Sequence, residues 1–210
     1  MHLSYAALSL FAALVSGYSP PRGSTGDANV RDPGLMRRAA DGVYFLFSTG
    51  DKIKYARSSS LDGPWTHVGS AVPAGSVINK PGKDDLWAPD VANINGTYHL
   101  YYSVSTLGQR NSAIGLATSD SMAVGTWTDH GSTGVATTAA DNFNAIDPSL
   151  LDDGGAYYLT FGSFWGGIEQ VRMNSAATKS VNTPANLAYK DGDHAIEGSY
   201  LYKNGDFYYL

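Results

Sequence analysis

Apolar residues along this chain come in short runs, not in helical periods. Four of the runs share one form. D-G-V-Y-F-L-F-S starts at Asp41, N-G-T-Y-H-L-Y-Y at Asn95, G-G-A-Y-Y-L-T-F at Gly154 and N-G-D-F-Y-Y-L at Asn204. Each is a tight turn that opens into a strand of aromatic and aliphatic residues. Asp-Gly and Asn-Gly tolerate the positive φ that two-residue hairpin loops need, so each copy predicts a β-hairpin. The aligned glycines, Gly42, Gly96, Gly155 and Gly205, lie 54, 59 and 50 residues apart.

A second pattern recurs between them. S-S-L-D-G-P-W-T-H-V-G (Ser59 to Gly69) parallels S-D-S-M-A-V-G-T-W-T-D-H-G (Ser119 to Gly131). Each ends one strand, turns at Gly63 or Gly125 and opens another at Trp65 or Trp127. A period therefore holds four short strands, which is the signature of a propeller blade. No amphipathic helix competes with this reading, because every apolar run is short and bounded by Gly, Asp, Asn or Pro. The expected class is all-β, a β-propeller of about three and a half blades. The sequence stops at Leu210 inside the second strand of the fourth, and an open blade leaves an unpaired edge. The natural protein is expected to continue for at least one further blade.

The first residues differ from the rest. Leu3 to Val15 is an apolar run too short to span a bilayer, and Val15-Ser16-Gly17 supplies small residues before Tyr18. Residues 1–17 read as a secretory signal and 18–210 as the propeller domain, which places the protein outside the cell. The n-region carries only His2 as a basic group. Across 210 residues the net charge is −5, with no Lys/Arg cluster, so nucleic acid and anionic membrane surfaces are excluded as partners. There is no cysteine, hence no disulfide framework and no thiolate metal site. Asn95-Gly96-Thr97 is an N-glycosylation acceptor motif on a turn.

The acids follow the same period. N-V-R-D-P-G-L holds Asp32, L-W-A-P-D-V-A holds Asp90, N-A-I-D-P-S-L holds Asp147 and H-A-I-E-G-S-Y-L holds Glu197. They precede their hairpin glycines by ten, six, eight and eight residues. The first strand of a propeller blade lines the central channel, so these acids are expected around one axial pocket. Taken singly, an Asp before Pro is a common turn opener. Taken together, crowded carboxylates must differ in pKa, one raised and one left ionised. That is what a general acid working beside a general base requires. Glycoside hydrolysis uses such a pair, and inversion through a water needs roughly 6.5–9.5 Å between the two. Asp90 is the weakest candidate, since its spacing differs and Pro89 precedes it.

Several stretches make the chain resemble the arabinanases of glycoside hydrolase family 43, from about Asp27 to Leu210. They are D-D-L-W-A-P-D-V, Y-Y-S-V-S-T-L-G followed by S-A-I-G-L-A-T-S, N-A-I-D-P-S-L, L-T-F-G-S-F-W and H-A-I-E-G-S-Y. The resemblance implies a five-bladed propeller and an inverting mechanism with three acids. It makes Asp32 the general base, Glu197 the general acid, and Asp147 the acid that orients Glu197 and adjusts its pKa. It also implies substrate contacts at Asn144, Ala145, Ile146, Asp147, Ser163, Phe164, Trp165 and Gly108. Trp87 and Trp165 suit sugar C–H faces, whereas Trp65 and Trp127 suit packing. His67 and His130 read as structural, and His194 as a neighbour of the site. Two departures stand out: Arg31 where many relatives carry His, and Gly166-Gly167 where larger residues form the wall of a subsite.

The expected activity is cleavage of internal α-1,5-linked arabinofuranosyl bonds in arabinan by a secreted monomer. No cofactor is required on this sequence. The resemblance allows a structural calcium in the channel, but its usual histidine ligand comes from a blade beyond Leu210. The alternatives are an exo-acting arabinofuranosidase or β-xylosidase, a retaining fructosidase-type propeller, and an inactive carbohydrate-binding propeller.

Overall fold

The computed structural model describes residues 23–190, 192 and 196–210. Residues 1–17, read above as a signal, and His194 lie outside these. Three four-stranded antiparallel sheets follow one another along the chain. The first blade holds β1 (Gly34–Arg37), β2 (Tyr44–Ser48), β3 (Lys54–Ser58) and β4 (Thr66–Ser70). The second holds β5 (Leu86–Ile94), β6 (Thr97–Val104), β7 (Ala113–Ser119) and β8 (Thr128–Ala136). The third holds β9 (Ser149–Asp153), β10 (Ala156–Phe161), β11 (Ile168–Arg172) and β12 (Ala185–Ala188). The hairpin β13 (Tyr202–Asn204) and β14 (Phe207–Tyr209) follows. No helix occurs among the described residues.

Every hairpin glycine sits where the sequence pattern put it, between the first and second strand of its sheet. The two Trp-Thr steps open β4 and β8. Within each sheet the strands pair in chain order. The first strands contact one another, β1 against β5, β5 against β9, and β9 against β13. That arrangement makes the sheets blades of a propeller and their first strands its inner wall.

Strand alternation assigns side chains to blade interfaces. Along β6, Tyr98, Leu100, Tyr102 and Val104 pack toward the first blade, against Phe45, Phe47 and Tyr55. Tyr101 points the other way, to Tyr157, Leu159 and Phe161 of the third blade. Phe47 stacks on Tyr55 at 5.1 Å and meets Trp127 edge-on at 5.6 Å. Trp65 is buried against Leu46 and Ala56, where Ala28 and Val30 cover it. Both tryptophans therefore pack between elements, as expected. Each such fully buried side chain contributes roughly 1.5–3 kcal/mol, so the interfaces between blades carry much of the fold's stability. At the other end of the chain, the Lys203 ammonium lies 2.6 Å from Asp153, and the Tyr208 hydroxyl donates to the same carboxylate at 2.6 Å. These contacts fasten the fourth hairpin to the third blade.

The inner strands approach each other too closely for a side chain at one point. A methyl added at Gly34 of β1 would lie 2.5 Å from the Pro89 carbonyl oxygen of β5. Gly34→Ala must push the first two blades apart at the channel, and overpacking of this kind costs about 1–3 kcal/mol. The expected loss is readable by denaturant unfolding monitored through tryptophan fluorescence.

Candidate active site

One backbone feature recurs at the entrance to the channel. Asp32, Ala88 and Asp147 each precede a proline and each adopt left-handed φ, at 51°, 44° and 57°. Non-glycine residues in this region are strained and persist only where their surroundings hold them. Proline contributes no N–H, so its entry leaves the ladder of the inner strand without a lost bond. In β5 the same step is a bulge, with the register broken between Trp87 and Asp90.

This geometry corrects the alignment of the acids. In the second blade the residue equivalent to Asp32 and Asp147 is Ala88, not Asp90. Counted to the hairpin glycine, Ala88, Asp147 and Glu197 all stand eight residues away. Asp90 lies two residues further along its strand, level with Gly34, Ser149 and Ser199. Its Oδ2 accepts the Leu150 N–H at 2.7 Å, so it binds β5 to β9 below the mouth of the channel. The four seats at the mouth are thus acid, methyl, acid, acid.

Asp32, Asp147 and Glu197 share one cleft of about 500 Å³. Thr49 Oγ1 donates to Asp32 Oδ2 and accepts the Ala88 N–H at 2.8 Å. Arg31 Nε lies 3.8 Å from Asp32, but the Arg31 side chain is 76% exposed. Water therefore screens most of this pairing. Ser103 Oγ accepts the Asp147 N–H at 2.9 Å. Ser163 donates to Glu197 Oε2 at 2.6 Å, and the Phe164 N–H reaches the Ile196 carbonyl at 3.1 Å. Each carboxylate is thereby seated by a hydroxyl or backbone group at the end of a second strand.

Of the expected contacts, Asn144, Ile146, Ser163, Phe164, Trp165, Gly108 and Trp87 line the same cleft. Ala145 does not. It is fully buried in the core between the second and third blades, at the centre of a tight turn in which the Ile146 N–H reaches the Asn144 carbonyl at 3.1 Å. Asn144 is buried, and its amide oxygen accepts from Ser112, which is itself linked to Ser105 at 2.7 Å. With the oxygen occupied, the NH₂ group is what Asn144 offers to the cleft. The Arg110 guanidinium lies 5.5 Å over the Trp165 ring and donates to the backbone carbonyls of Ala139 and Asp141. It supports Trp165 from one face. Gly166 and Gly167 do not widen a subsite. A methyl at Gly166 would meet Asn142 O and Phe143 Cβ at 2.8 Å, and one at Gly167 would meet Ala188 O at 2.3 Å. Close backbone approach accounts for both glycines. His67 and His130 are exposed on β4 and β8, away from the cleft, and His130 pairs with Thr118 at 2.7 Å. The Asn95 turn is also exposed, at the opposite end of β5 from the cleft.

Residues 25–210 match the glycosyl hydrolases family 43. The chain belongs to this family. A probable arabinan endo-1,5-alpha-L-arabinosidase A from Neosartorya fischeri is 57% identical over 206 residues, covering 98% of this chain and 64% of that protein. A native arabinanase from Bacillus subtilis superposes with a TM-score of 0.79 at 30% identity, over 88% of this chain and 66% of that one. An exo-1,5-alpha-L-arabinanase from a bovine ruminal metagenomic library gives 0.76 at 32% identity, over 88% and 65%. The chain spans about 64% of the length of the first of these relatives.

In this family 43 chain, burial sets the electrostatics of the site. Asp147 is pushed up to about 7, first by burial, then by the charges of Glu197 and Asp32, against the opposing N–H of Gly198. Asp147 thus lies within electrostatic reach of both other acids. Burial also pushes Asp90 up to about 6, against the N–H groups of Leu150 and Val91. Among the described residues no group of three or more His, Asp or Glu side chains is placed to hold a metal ion. No step below is routed through a metal ion. No helix among the described residues is long and apolar enough to cross a membrane.

Thr49, Ser103, Ser112 and Arg110 were not foreseen from the sequence. Thr49 and Ser103 did carry a signal, for each follows its hairpin glycine by seven residues. Asp90 yields a test. With a raised folded pKa, the native state holds a proton that the unfolded chain releases near pH 4. Its contribution to stability is full below that pH and is lost as pH rises through about 6. Asp90→Asn keeps an acceptor for Leu150 and removes the charge. At pH 7 it should melt about 2–4 °C higher, the shift that about 1 kcal/mol produces in a domain of this size, and the gap should close by pH 4. Differential scanning calorimetry across this range reads both.

Proposed function

We propose that this chain is the catalytic propeller of an arabinan endo-1,5-α-L-arabinosidase that inverts the anomeric centre. One observation carries the reading: carboxylates from three different blades meet in a single cleft walled by Trp87 and Trp165. Asp32, on the open side of the cleft, takes a proton from a water that attacks the anomeric carbon. Glu197 delivers a proton to the departing sugar oxygen. Asp147, close to both and pushed up to about 7, keeps a proton in the site at neutral pH and stops the three acids from carrying three charges together. The chemistry itself requires one carboxyl to be an acid and another to be a base.

The name of the 57% identical fungal relative supports arabinan as substrate and internal cleavage. Trp165, braced by Arg110, and the NH₂ of Asn144 supply an apolar face and a donor suited to a furanose ring and its hydroxyls. All three acids come from one chain, so the reaction needs no second subunit. A polysaccharide substrate fits the reading of residues 1–17 as a secretory signal.

The test is incubation with linear arabinan while reducing ends and product lengths are followed. Mixed oligosaccharides should precede monosaccharide. Monosaccharide as the sole first product would replace the endo reading by exo action, and binding without new reducing ends would make the protein a carbohydrate-binding propeller. Asp32→Ala and Glu197→Ala should each lower turnover by at least about 10²–10⁴-fold with unchanged melting behaviour. Full activity in either variant would show that the roles are misassigned.

A further inference from the structure

We infer that Thr49 is the positioning residue of the general base, an inference that rests on the role proposed for Asp32. Thr49 stands just beyond β2 and is 5% exposed. A hydroxyl has one proton and two acceptor lone pairs. The Ala88 N–H, 2.8 Å from Oγ1, occupies an acceptor site. The single proton is directed at Asp32 Oδ2. The backbone of Thr49 also grips the neighbouring residue, since its N–H donates to the Arg31 carbonyl at 3.1 Å. Ser48 completes the hold: its Oγ accepts the Arg31 N–H at 3.0 Å and donates to the Arg31 carbonyl at 2.9 Å. Asp32 itself sits at φ 51°, a conformation that needs support from its surroundings.

The equivalent hydroxyl in the second blade shows which part of this is structural. Ser103 accepts the Asp147 N–H at 2.9 Å, just as Thr49 accepts that of Ala88. In the first two blades a hydroxyl at the end of the second strand thus receives the N–H of the kinked residue in the next blade. Only Thr49 adds a bond to a carboxylate of its own blade. The residue has two tasks, locking the first blade to the second and aiming one oxygen of Asp32. The second oxygen is left for the attacking water.

Thr49→Val keeps the shape and removes the hydroxyl, and Thr49→Ser keeps the hydroxyl and removes a methyl. With the full chain on linear arabinan, Thr49→Val should lose about tenfold or more in kcat, as expected for a hydrogen bond to a charged group. KM should change little. Thr49→Ser should recover most of the kcat. Thermal unfolding of both variants identifies a loss that comes only from stability. A Thr49→Val enzyme whose kcat is unchanged, or whose activity falls through KM or melting temperature alone, overturns the inference. If the wild-type chain cleaves no arabinan, it is the proposed function that fails.

Discussion

The site depends on a left-handed backbone step placed ahead of a proline. At Asp32, Ala88 and Asp147 the chain enters an inner strand through the same unfavourable φ, and a carbon chain does not hold such a conformation unaided. The support comes from neighbouring blades. Hydroxyls of Thr49 and Ser103 capture the N–H groups of the kinked residues across the interface. Below them, Gly34 lets β1 press against Pro89 with no side chain between. Catalytic geometry and the docking of blades are therefore one problem, solved by the same few atoms.

The interior explains why that solution is rigid. β6 sends alternate residues to two different cores, Tyr98, Leu100 and Tyr102 to one and Tyr101 to the other. A strand locked on both faces cannot slip by one residue without exchanging its two cores. The position of Ser103, and through it of Asp147, follows from that register. A half-buried carboxylate pushed up to about 7 is thereby kept close to two others.

Much of this was legible in the residues. The hairpin glycines and Trp-Thr steps gave the strand order and the blade period, since turns and alternation are local chemistry. The acids of the first, third and fourth blades were found by their spacing. Asp90 does line the channel with Asp32 and Asp147, but two residues deeper than their level. The seat level with theirs holds Ala88, which shares their spacing to the glycine and their following proline, yet an alanine gave no reason to be counted. Ala145 lies off the cleft for a related reason: a motif names contiguous residues, whereas the tight turn at Ala145 places its side chain in the core. Thr49 had a regular spacing to mark it, but its partner Ala88 lies in another blade, and Arg110 acts across a loop boundary; such pairings are set by tertiary contact.

The methyl of Ala88 has a consequence for the symmetry of the channel. Identical residues in every seat would leave the described blades alike at its mouth. With Ala88 in one seat and the carboxyls of Asp32, Asp147 and Glu197 in the other three described, the mouth is neutral on one side and acidic on the rest. A fold built from near-identical blades thus acquires an orientation at the one described seat that carries no charge.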